Sequence, residues 1–194
     1  MIPPATTFVF LGRSGCGKGT QVEFLKQKSE FRDAVEMRTG DIFRALAKNN
    51  TLLGRKVGEV MNTGGLIPMW ITSCLWVQKF NEIKGSEILI FEGGPRWLEE
   101  AKLLDEASGF LGRPKAVAVL LEVSAEESRR RLRARKRADD TDERITNRLA
   151  WYQTNVIPEI EYFRSEGRLI EVNGENAPEA VCEEIWNKLQ EYFK

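Results

Sequence analysis

Residues 12–20 decide the fold: they read GRSGCGKGT and directly follow the apolar run TFVFL at positions 7–11. Glycine stands at positions 12, 15, 17 and 19, and a helical pattern begins at Gln21. A strand, a glycine-rich loop and a helix in this order are typical of a P-loop. Glycines let backbone N–H groups turn toward a polyphosphate, and Lys18 adds a positive charge at its outer phosphates. The sequence therefore predicts a nucleoside triphosphate site, with a glycine-rich turn that binds no ligand as the alternative.

The composition fits one α/β domain without a charge bias. Among 194 residues there are 29 basic and 29 acidic side chains, so net charge gives no argument for nucleic acid or an anionic membrane as a partner. The three cysteines, Cys16, Cys74 and Cys182, form no Cys-x-x-Cys pair and indicate neither a disulfide framework nor a zinc site. No stretch approaches the length of a membrane span, and the first residues lack the pattern of a signal peptide. We therefore predict a cytoplasmic protein.

Apolar strand candidates alternate with helical stretches along the chain. They lie at 7–11, 34–38, 87–91, 116–123 and 168–172. This alternation predicts an α/β fold with a five-stranded parallel sheet, helices on both of its faces, and a single domain over residues 1–194. Ligands of such sheets bind at the carboxyl ends of the strands. The segments that follow the strands are therefore the candidate site.

The segment after the second strand reads TGDIFR from Thr39 to Arg44. Together with the GKGT of the P-loop, it resembles the nucleoside monophosphate kinase family, and in particular the adenylate kinases. In that family the threonine lies by the acceptor nucleoside and the arginine holds the acceptor phosphate, which suits a planar guanidinium. Pyrimidine-directed relatives usually have alanine at the first position, so Thr39 favours AMP as the acceptor. If the segment stood alone, a capped helix N-terminus with a solvated Arg44 would be the better interpretation.

The resemblance implies a small helical insert that binds the acceptor, at about residues 39–83, between core segments 1–38 and 84–194. Within it Gly65, Leu66 and Ile67 would offer backbone groups to the acceptor base, with plain apolar packing as the alternative. The family's lid is reduced to about residues 135–137, where one residue, Lys136, separates two arginines.

The third strand runs into EGGPR at positions 92–96, which is similar to the Asp-Gly-Phe-Pro-Arg of the family. The resemblance implies that Arg96 contacts the transferring phosphoryl group and the acceptor phosphate. Glu92 replaces an aspartate that reaches magnesium through water, and the P-loop hydroxyl comes at Thr20 because Gly19 fills the usual Ser/Thr position. We therefore expect Mg²⁺ as the cofactor, bound with ATP through water to Thr20 and Glu92 and without a direct protein ligand. Gly94 replaces a bulky phenylalanine, which should loosen this loop.

Seven positive charges lie within residues 129–137, and the chain contains no histidine that could act as a general base. A nucleic-acid patch or a solvated basic helix would have this composition. The resemblance favours another interpretation, in which the arginines around the family's lid are matched by Arg131, Arg135, Arg137 and Arg148. Asp139 and Asp140 would orient them by charge-assisted hydrogen bonds. Phosphoryl transfer needs such cations, because its catalysis is mainly positioning and charge neutralisation, and it strictly requires no base.

Glu100 stands where adenylate kinases usually have a glutamine that contacts the AMP base. An ionised carboxylate can only accept hydrogen bonds, so Glu100 would weaken the discrimination for adenine and would suit guanine better. A Glu100 that turns to solvent is the alternative.

The resemblance thus implies a monomer that transfers a phosphoryl group reversibly from Mg-ATP to AMP, giving two ADP. A kinase for GMP, UMP or CMP is one alternative, and a nucleotide sensor that has lost catalysis is another. Neither nucleic acid nor a membrane is expected as a partner. The implied catalytic residues are Lys18, Arg96, Arg135, Arg137 and Arg148. The implied ATP-binding residues are Gly15, Cys16, Gly17, Lys18, Gly19, Thr20, Arg131, Arg135 and Asn176. The implied AMP-binding residues are Thr39, Arg44, Gly65, Leu66, Ile67, Gly93, Arg96, Glu100, Arg137 and Arg148.

Overall fold

The strands of the protein form one parallel sheet. The computed structural model describes residues 2–135, 137 and 140–194, and within them the sheet has five strands in the order β2-β3-β1-β4-β5. These are β1 (Thr7–Leu11), β2 (Val35–Arg38), β3 (Leu89–Glu92), β4 (Val117–Glu122) and β5 (Leu169–Asn173). Every pairing between neighbours is parallel. The predicted fold class is confirmed, and each strand begins and ends within two residues of its predicted limits.

Helices connect the strands and cover both faces of the sheet. In the described part of the chain they are α1 (Lys18–Leu25), α2 (Thr39–Ala47), α3 (Leu52–Asn62), α4 (Met69–Phe80), α5 (Leu98–Phe110), α6 (Ala125–Arg135), α7 (Asp142–Trp151), α8 (Ile157–Ser165) and α9 (Pro178–Tyr192). A 3₁₀ turn at Ser29–Phe31 and a π-helical turn at Tyr152–Val156 complete the order. None of the described helices has both the length and the apolar composition that a bilayer crossing requires.

The central strands are buried on both faces, as the continuous apolar sequence of β1 requires. Because successive side chains of a strand point to opposite faces, Phe8 and Phe10 pack with Leu25 of α1 and Leu189 of α9 on one side. Val9 and Leu11 belong to the core on the other side, together with residues of α5 and α8 such as Phe163. The sheet is thereby fixed between two helical layers, and the loops at its carboxyl ends remain open for a ligand.

A separate small core holds the helices between β2 and β3. It consists of Phe43, Val57, Ile67 and Ile71, which are all buried, and partly buried neighbours pack around them. Helices α2, α3 and α4 therefore form a unit with its own apolar centre, attached to the sheet at both ends. This is the segment in which the sequence predicts the acceptor-binding insert.

Gly54 allows the close approach of α3 to the turn before it. A Cβ at this position would lie 2.4 Å from the carbonyl oxygen of Asn49 and 2.6 Å from that of Leu46. Backbone atoms cannot give way as a flexible side chain can, so Gly54→Ala is expected to destabilise the protein by about 1–3 kcal/mol. Urea or thermal unfolding of the variant measures this change.

Gly58 provides the matched control, because it lies one turn further along the same helix. A Cβ there would be at ordinary contact distance, 3.7 Å from the Cβ of Ala47. Gly58→Ala should therefore stabilise the protein by up to about 1 kcal/mol, which is the helix-propensity difference between the two residues. A shift of the same sign and size in both variants would contradict the steric role of Gly54.

An apolar stripe at helical spacing predicts one helix over 141–165, formed by Ile145, Leu149, Tyr152, Val156, Ile160 and Phe163. The structure interrupts this helix earlier than the sequence indicates. The proline at 158 predicts a bend, and the irregularity is the π-helical turn at Tyr152–Val156, which lies before it, whereas Pro158 itself falls in the first turn of α8. A proline ring clashes with the carbonyl four residues earlier and offers no N–H to it. Insertion of a π turn at that point relieves the clash and continues the helix.

Candidate active site

The P-loop joins β1 to α1 as predicted and is shaped by glycines with positive φ. Gly12 and Gly15 have φ of 130° and 87°, and a Cβ at Gly12 would approach the carbonyl oxygen of Leu121 to 2.6 Å. Lys18 begins α1, and its Nζ donates hydrogen bonds to the carbonyl oxygens of Gly12 at 2.9 Å and Arg13 at 3.0 Å. The ammonium group is therefore held over the loop, next to the amino end of a helix that favours anions.

A cleft of about 830 Å³ opens at this loop, at the carboxyl ends of the strands. It is lined by most of the residues that the sequence singles out: Gly15, Cys16, Gly17, Lys18, Gly19, Thr20, Arg44, Gly65, Ile67, Glu92, Gly93, Arg96, Arg131, Arg135, Arg137, Arg148 and Asn176. Residues from several separate segments of the chain meet in this space. A volume of this size lies within the range of small-molecule and cofactor sites.

Two arginines face the cleft from the side of the insert and from the loop after β3. Arg44 pairs with Asp41 within α2, and the hydrogen bond from Arg44 lowers the pKa of Asp41. Arg96 is half-buried; its Nε donates to the carbonyl oxygen of Gly93 at 2.6 Å, and its guanidinium lies 5.4 Å from the centre of the Trp151 ring. Burial lowers the pKa of Arg96 from its ordinary value, and carboxylates nearby oppose that change.

A buried carboxylate holds two more arginines at the cleft. The Asp140 carboxylate is 1% exposed and accepts hydrogen bonds from Nε and Nη2 of Arg135 at 2.8 and 2.9 Å, and from Nη1 of Arg148 at 2.9 Å. Burial acts to raise the pKa of Asp140, but the hydrogen bonds and charges of the two arginines outweigh it, so the pKa lies below its ordinary value. The predicted partner Asp139 and the lid residue Lys136 lie outside the described residues.

Arg131 connects the P-loop to the last strand. Its Nη1 donates to the carbonyl oxygen of Gly174 at 2.9 Å and to that of Cys16 at 3.3 Å. Glu127 fixes the other edge of the guanidinium, and hydrogen bonds from Arg130 and Arg131 lower the pKa of Glu127 to about 2. The cation is thus held between the phosphate loop and the segment that follows β5.

Oxygen donors that suit magnesium lie beside the P-loop. A Cβ on Gly19 would be 3.3 Å from Oε1 of Glu92, so this carboxylate faces the loop directly, and Thr20 also lines the cleft. Carboxylate and hydroxyl oxygens are ligands that Mg²⁺ accepts, directly or through its water shell. Nε of Arg38 approaches Oε2 of Glu92 only to 3.9 Å. The residues present therefore fit a hydrated magnesium ion.

Three predicted acceptor residues do not line the cleft. Thr39 is buried, its hydroxyl has no hydrogen-bond partner among the described residues, and a Cβ on Gly94 would lie 3.2 Å from it. Leu66 is half-buried beside the cleft-lining residues of the insert. Glu100 is 1% exposed, and its Oε2 accepts the backbone N–H of Arg96 at 2.7 Å. The expected position of Glu100, facing either the base or solvent, thus differs from the structure, because α5 turns this carboxylate into the interior.

Trp151 is a cleft residue that the sequence does not single out, since it falls outside the apolar stripe of its helix. Its Nε1 donates to the carbonyl oxygen of Gly64 at 2.9 Å. Arg144 Nε donates to the carbonyl oxygen of Asn62 at 2.7 Å. The end of α3 is thereby tied to α7 across the cleft, and the ring of Trp151 reaches the guanidinium of Arg96.

Arg38 is another residue that lines the cleft. Its hydrogen bond with Glu23 contributes most to raising the pKa of Arg38, and Glu36 adds to the effect.

A P-loop that faces a set of arginines at the carboxyl end of a parallel sheet defines a P-loop phosphotransferase. The family model of adenylate kinase matches residues 10–168 of the chain. The adenylate kinase of Azobacteroides pseudotrichonymphae genomovar. CFP2 is 35% identical over 187 residues, which cover 94% of this chain and 96% of the relative. That of Leptospira biflexa serovar Patoc is 34% identical over 181 residues, 91% of this chain and 96% of the relative. The chain belongs to the adenylate kinase family, as the motifs predict.

Proposed function

We propose that this chain transfers the γ-phosphoryl group of Mg-ATP to AMP, reversibly, giving two ADP. The observation that carries the proposal is the convergence of Lys18 with arginines from several segments on one cleft. Phosphoryl transfer spreads negative charge over the moving group, so its catalysis depends on positioned cations and not on a general base. The family of the chain supports ATP and AMP as the pair of substrates.

ATP lies on the P-loop in this proposal. The backbone N–H groups between Gly15 and Thr20 and the amino end of α1 bind its phosphates, and Lys18 neutralises the outer ones. Arg131, with its contacts to both Cys16 and Gly174, holds a positive charge between the phosphates and the loop after β5. Asn176 in that loop lines the cleft where the adenine of ATP would lie.

AMP occupies the part of the cleft between the insert and the loop after β3. Arg44 and Arg96 bind its phosphate, and Arg137 and Arg148 approach the same space from the other side. The hydroxyl of Thr39 supports a place for the acceptor nucleoside, because a buried hydroxyl without a partner is costly and normally finds one. Glu100 faces the interior and does not contact the base in this proposal.

Thr20 and Glu92 would hold Mg²⁺ through its water ligands. When it is bound, the ion neutralises charge on the β- and γ-phosphates of ATP. The protein's own contribution is to keep the carboxylate of Glu92 beside the P-loop, where Gly19 leaves it space.

The chain acts in this proposal as a single domain and a monomer in the cytoplasm, with residues 39–83 as the acceptor insert, and it binds neither nucleic acid nor a membrane. Its zero formal net charge supports the last point. The exposed arginines of α6 also support the absence of a nucleic-acid partner. Arg130 pairs with Glu127 and Arg133 pairs with Asp142, so carboxylates of the chain itself already offset these positive charges. Sedimentation of the purified protein tests the monomer.

A coupled assay with Mg-ATP and a panel of nucleoside monophosphates tests the activity. We expect ADP formation with AMP, and a kcat/KM for AMP at least about tenfold above those for GMP, UMP and CMP, as loss of a base-specific hydrogen bond would give. A higher kcat/KM for another acceptor would replace AMP in this proposal. Nucleotide binding without turnover of any acceptor would instead identify a nucleotide sensor.

A further inference from the structure

Helix α7 holds the end of α3 through hydrogen bonds to its backbone. Arg144, Asn147 and Trp151 of α7 donate to the carbonyl oxygens of three consecutive residues, 62–64, at 2.7, 2.7 and 2.9 Å. Nη2 of Arg144 also donates to Oδ1 of Asn62 at 3.0 Å. We call these hydrogen bonds between α7 and residues 62–64 the clasp. They join segments that lie 82 to 87 positions apart in the chain.

The sequence of α7 places the clasp and a proposed catalytic arginine on the same face. Positions 144, 147, 148 and 151 are spaced by three or four residues, so their side chains lie on one face of the helix. Arg148, the member of this set outside the clasp, donates to the carboxylate of Asp140 at 2.9 Å. Because one helix carries both, the clasp fixes the end of α3 relative to Arg148.

Gly64 allows the two segments to approach each other this closely. It is buried and has a φ of 70°, and a Cβ on it would lie 2.7 Å from the carbonyl oxygen of Arg144 and 2.9 Å from its Cα. Both of these atoms belong to the backbone, which cannot turn aside as a flexible side chain can. The clasp thus depends on glycine at this position as well as on the three donors.

The clasp lies where it can position the acceptor. Helix α3 packs around the small core of the insert, and none of its described residues belongs to the two cores of the sheet. Its position relative to the sheet therefore depends on contacts such as the clasp. Met61 and Gly65, which flank residues 62–64, both line the cleft. On the other side of the clasp, the guanidinium carbon of Arg96 lies 5.4 Å from the centre of the Trp151 ring.

We infer that the three donors of the clasp, Arg144, Asn147 and Trp151, are positioning residues that hold the insert at the spacing AMP requires. Trp151 has the central place among them, because it contacts both a carbonyl oxygen of the insert and the guanidinium of Arg96. The inference rests on the proposed function, which assigns the phosphate of AMP to Arg96.

Loss of the clasp should act on the binding of AMP more than on the rate of transfer. An insert that is correctly placed only part of the time can bind AMP only for that fraction, and the apparent Kd rises in proportion. Bound AMP would itself contact the insert through Arg44 and the opposite side through Arg96, so saturating AMP restores the spacing. A change of this kind raises KM for AMP and leaves kcat nearly unchanged.

The kinetic test removes two donors of the clasp in the double variant Asn147→Ala/Trp151→Phe. Phenylalanine keeps an aromatic ring at position 151 but has no N–H donor. KM for AMP at saturating Mg-ATP should rise about tenfold, as the loss of two hydrogen bonds would give, whereas KM for ATP and kcat should change by less than about twofold. Trp186→Phe/Asn187→Ala is the matched control, because it makes the same changes in α9 at two residues that do not line the cleft, and it should keep the KM for AMP. An unchanged KM for AMP in the clasp variant would overturn the inference.

Gly64→Ala tests the clasp without removing any of its donors. The added Cβ pushes residues 62–64 away from α7, so KM for AMP should rise as it does in the double variant. Gly112→Ala is the matched control, since Gly112 has a φ of 66° and nothing lies within 4 Å of a Cβ built on it. It carries a similar backbone strain without the clash, and its KM for AMP should not change. Equal KM values for AMP in the two alanine variants would contradict the role of the clasp.

Distances between spin labels test the position of α3 independently of activity. The labels are attached to Arg55→Cys on α3 and Glu161→Cys on α8, both exposed positions, after Cys74→Ser has removed the exposed native thiol; the two other cysteines are buried. Without nucleotide, the distribution of distances should broaden when either Gly64→Ala or the clasp double variant is added. An unchanged distribution would overturn the inference, whereas a broadened one in a protein that does not turn over AMP would refute the proposed function alone.

Discussion

Replacement of Lys18 by alanine is expected to lower kcat by roughly 10²–10³-fold or more and to leave the fold intact. The ammonium group is the cation at the P-loop, and it is held there by the carbonyl oxygens of Gly12 and Arg13. Its loss removes charge stabilisation where the negative charge of phosphoryl transfer develops. The hydrogen bonds of the sheet and the two main cores do not involve this side chain, so folding should be spared. Steady-state kinetics with ATP and AMP, together with a thermal unfolding curve, measure both effects.

Lys56→Ala is the control for the loss of a lysine. Lys56 lies on α3, is exposed, and pairs with Glu59 on the same face of the helix, and exposed pairs of this kind contribute about 0–1 kcal/mol. Arg130→Ala tests the same point in α6, where the side chain is 72% exposed and pairs with Glu127. Both controls should retain turnover. Near-normal kcat in a folded Lys18→Ala variant would contradict the assignment of phosphoryl transfer to this cleft.

The fold could be predicted from the sequence because its signals are local and agree with one another. A glycine-rich loop after the apolar run of β1 fixes one strand–loop–helix unit, and the other four strands repeat the same alternation of apolar runs and helical stretches. Parallel strands then bring their carboxyl ends to one edge. For this reason segments as distant as the P-loop and Asn176 line the same cleft.

The position of Glu100 could not be predicted in the same way. Glu100 lies four positions after Arg96, where the resemblance to adenylate kinases implies a residue that contacts the acceptor base. The rotation of α5 about its axis, however, decides whether this side chain faces the cleft or the interior. A second buried acid, Glu159, lies in the first turn of α8, and the sequence gives no signal that its carboxyl group is buried. The position of Trp151 cannot be predicted for a related reason: it lies off the apolar stripe of residues 141–165, and its contact with Gly64 forms between distant segments of the chain.

Asp140→Asn is expected to lower kcat by on the order of 10²-fold, because Asp140 holds Arg135 and Arg148 in place. The amide keeps the size of the carboxylate but loses its charge, and it turns N–H donors toward guanidinium groups that can only donate. Small displacements of positioning groups can cost about 10² in rate. Loss of these charge-assisted hydrogen bonds should also lower the unfolding free energy by about 1–3 kcal/mol at pH 7. Kinetics and urea unfolding of the purified variant measure the two effects.

The dependence of this stability loss on pH distinguishes the charge of Asp140 from its shape. The arginines lower the pKa of Asp140 below its ordinary value of 3.8 in the folded protein. Its contribution is therefore fully present above pH 3.8 and is lost as pH falls through the folded-state pKa. The difference between the unmodified protein and Asp140→Asn should consequently shrink toward strongly acidic pH. Asp142→Asn, an exposed aspartate that pairs with Arg133, should change neither kcat nor stability appreciably. If the two asparagine variants behaved alike, Asp140 would not be the residue that positions the arginines.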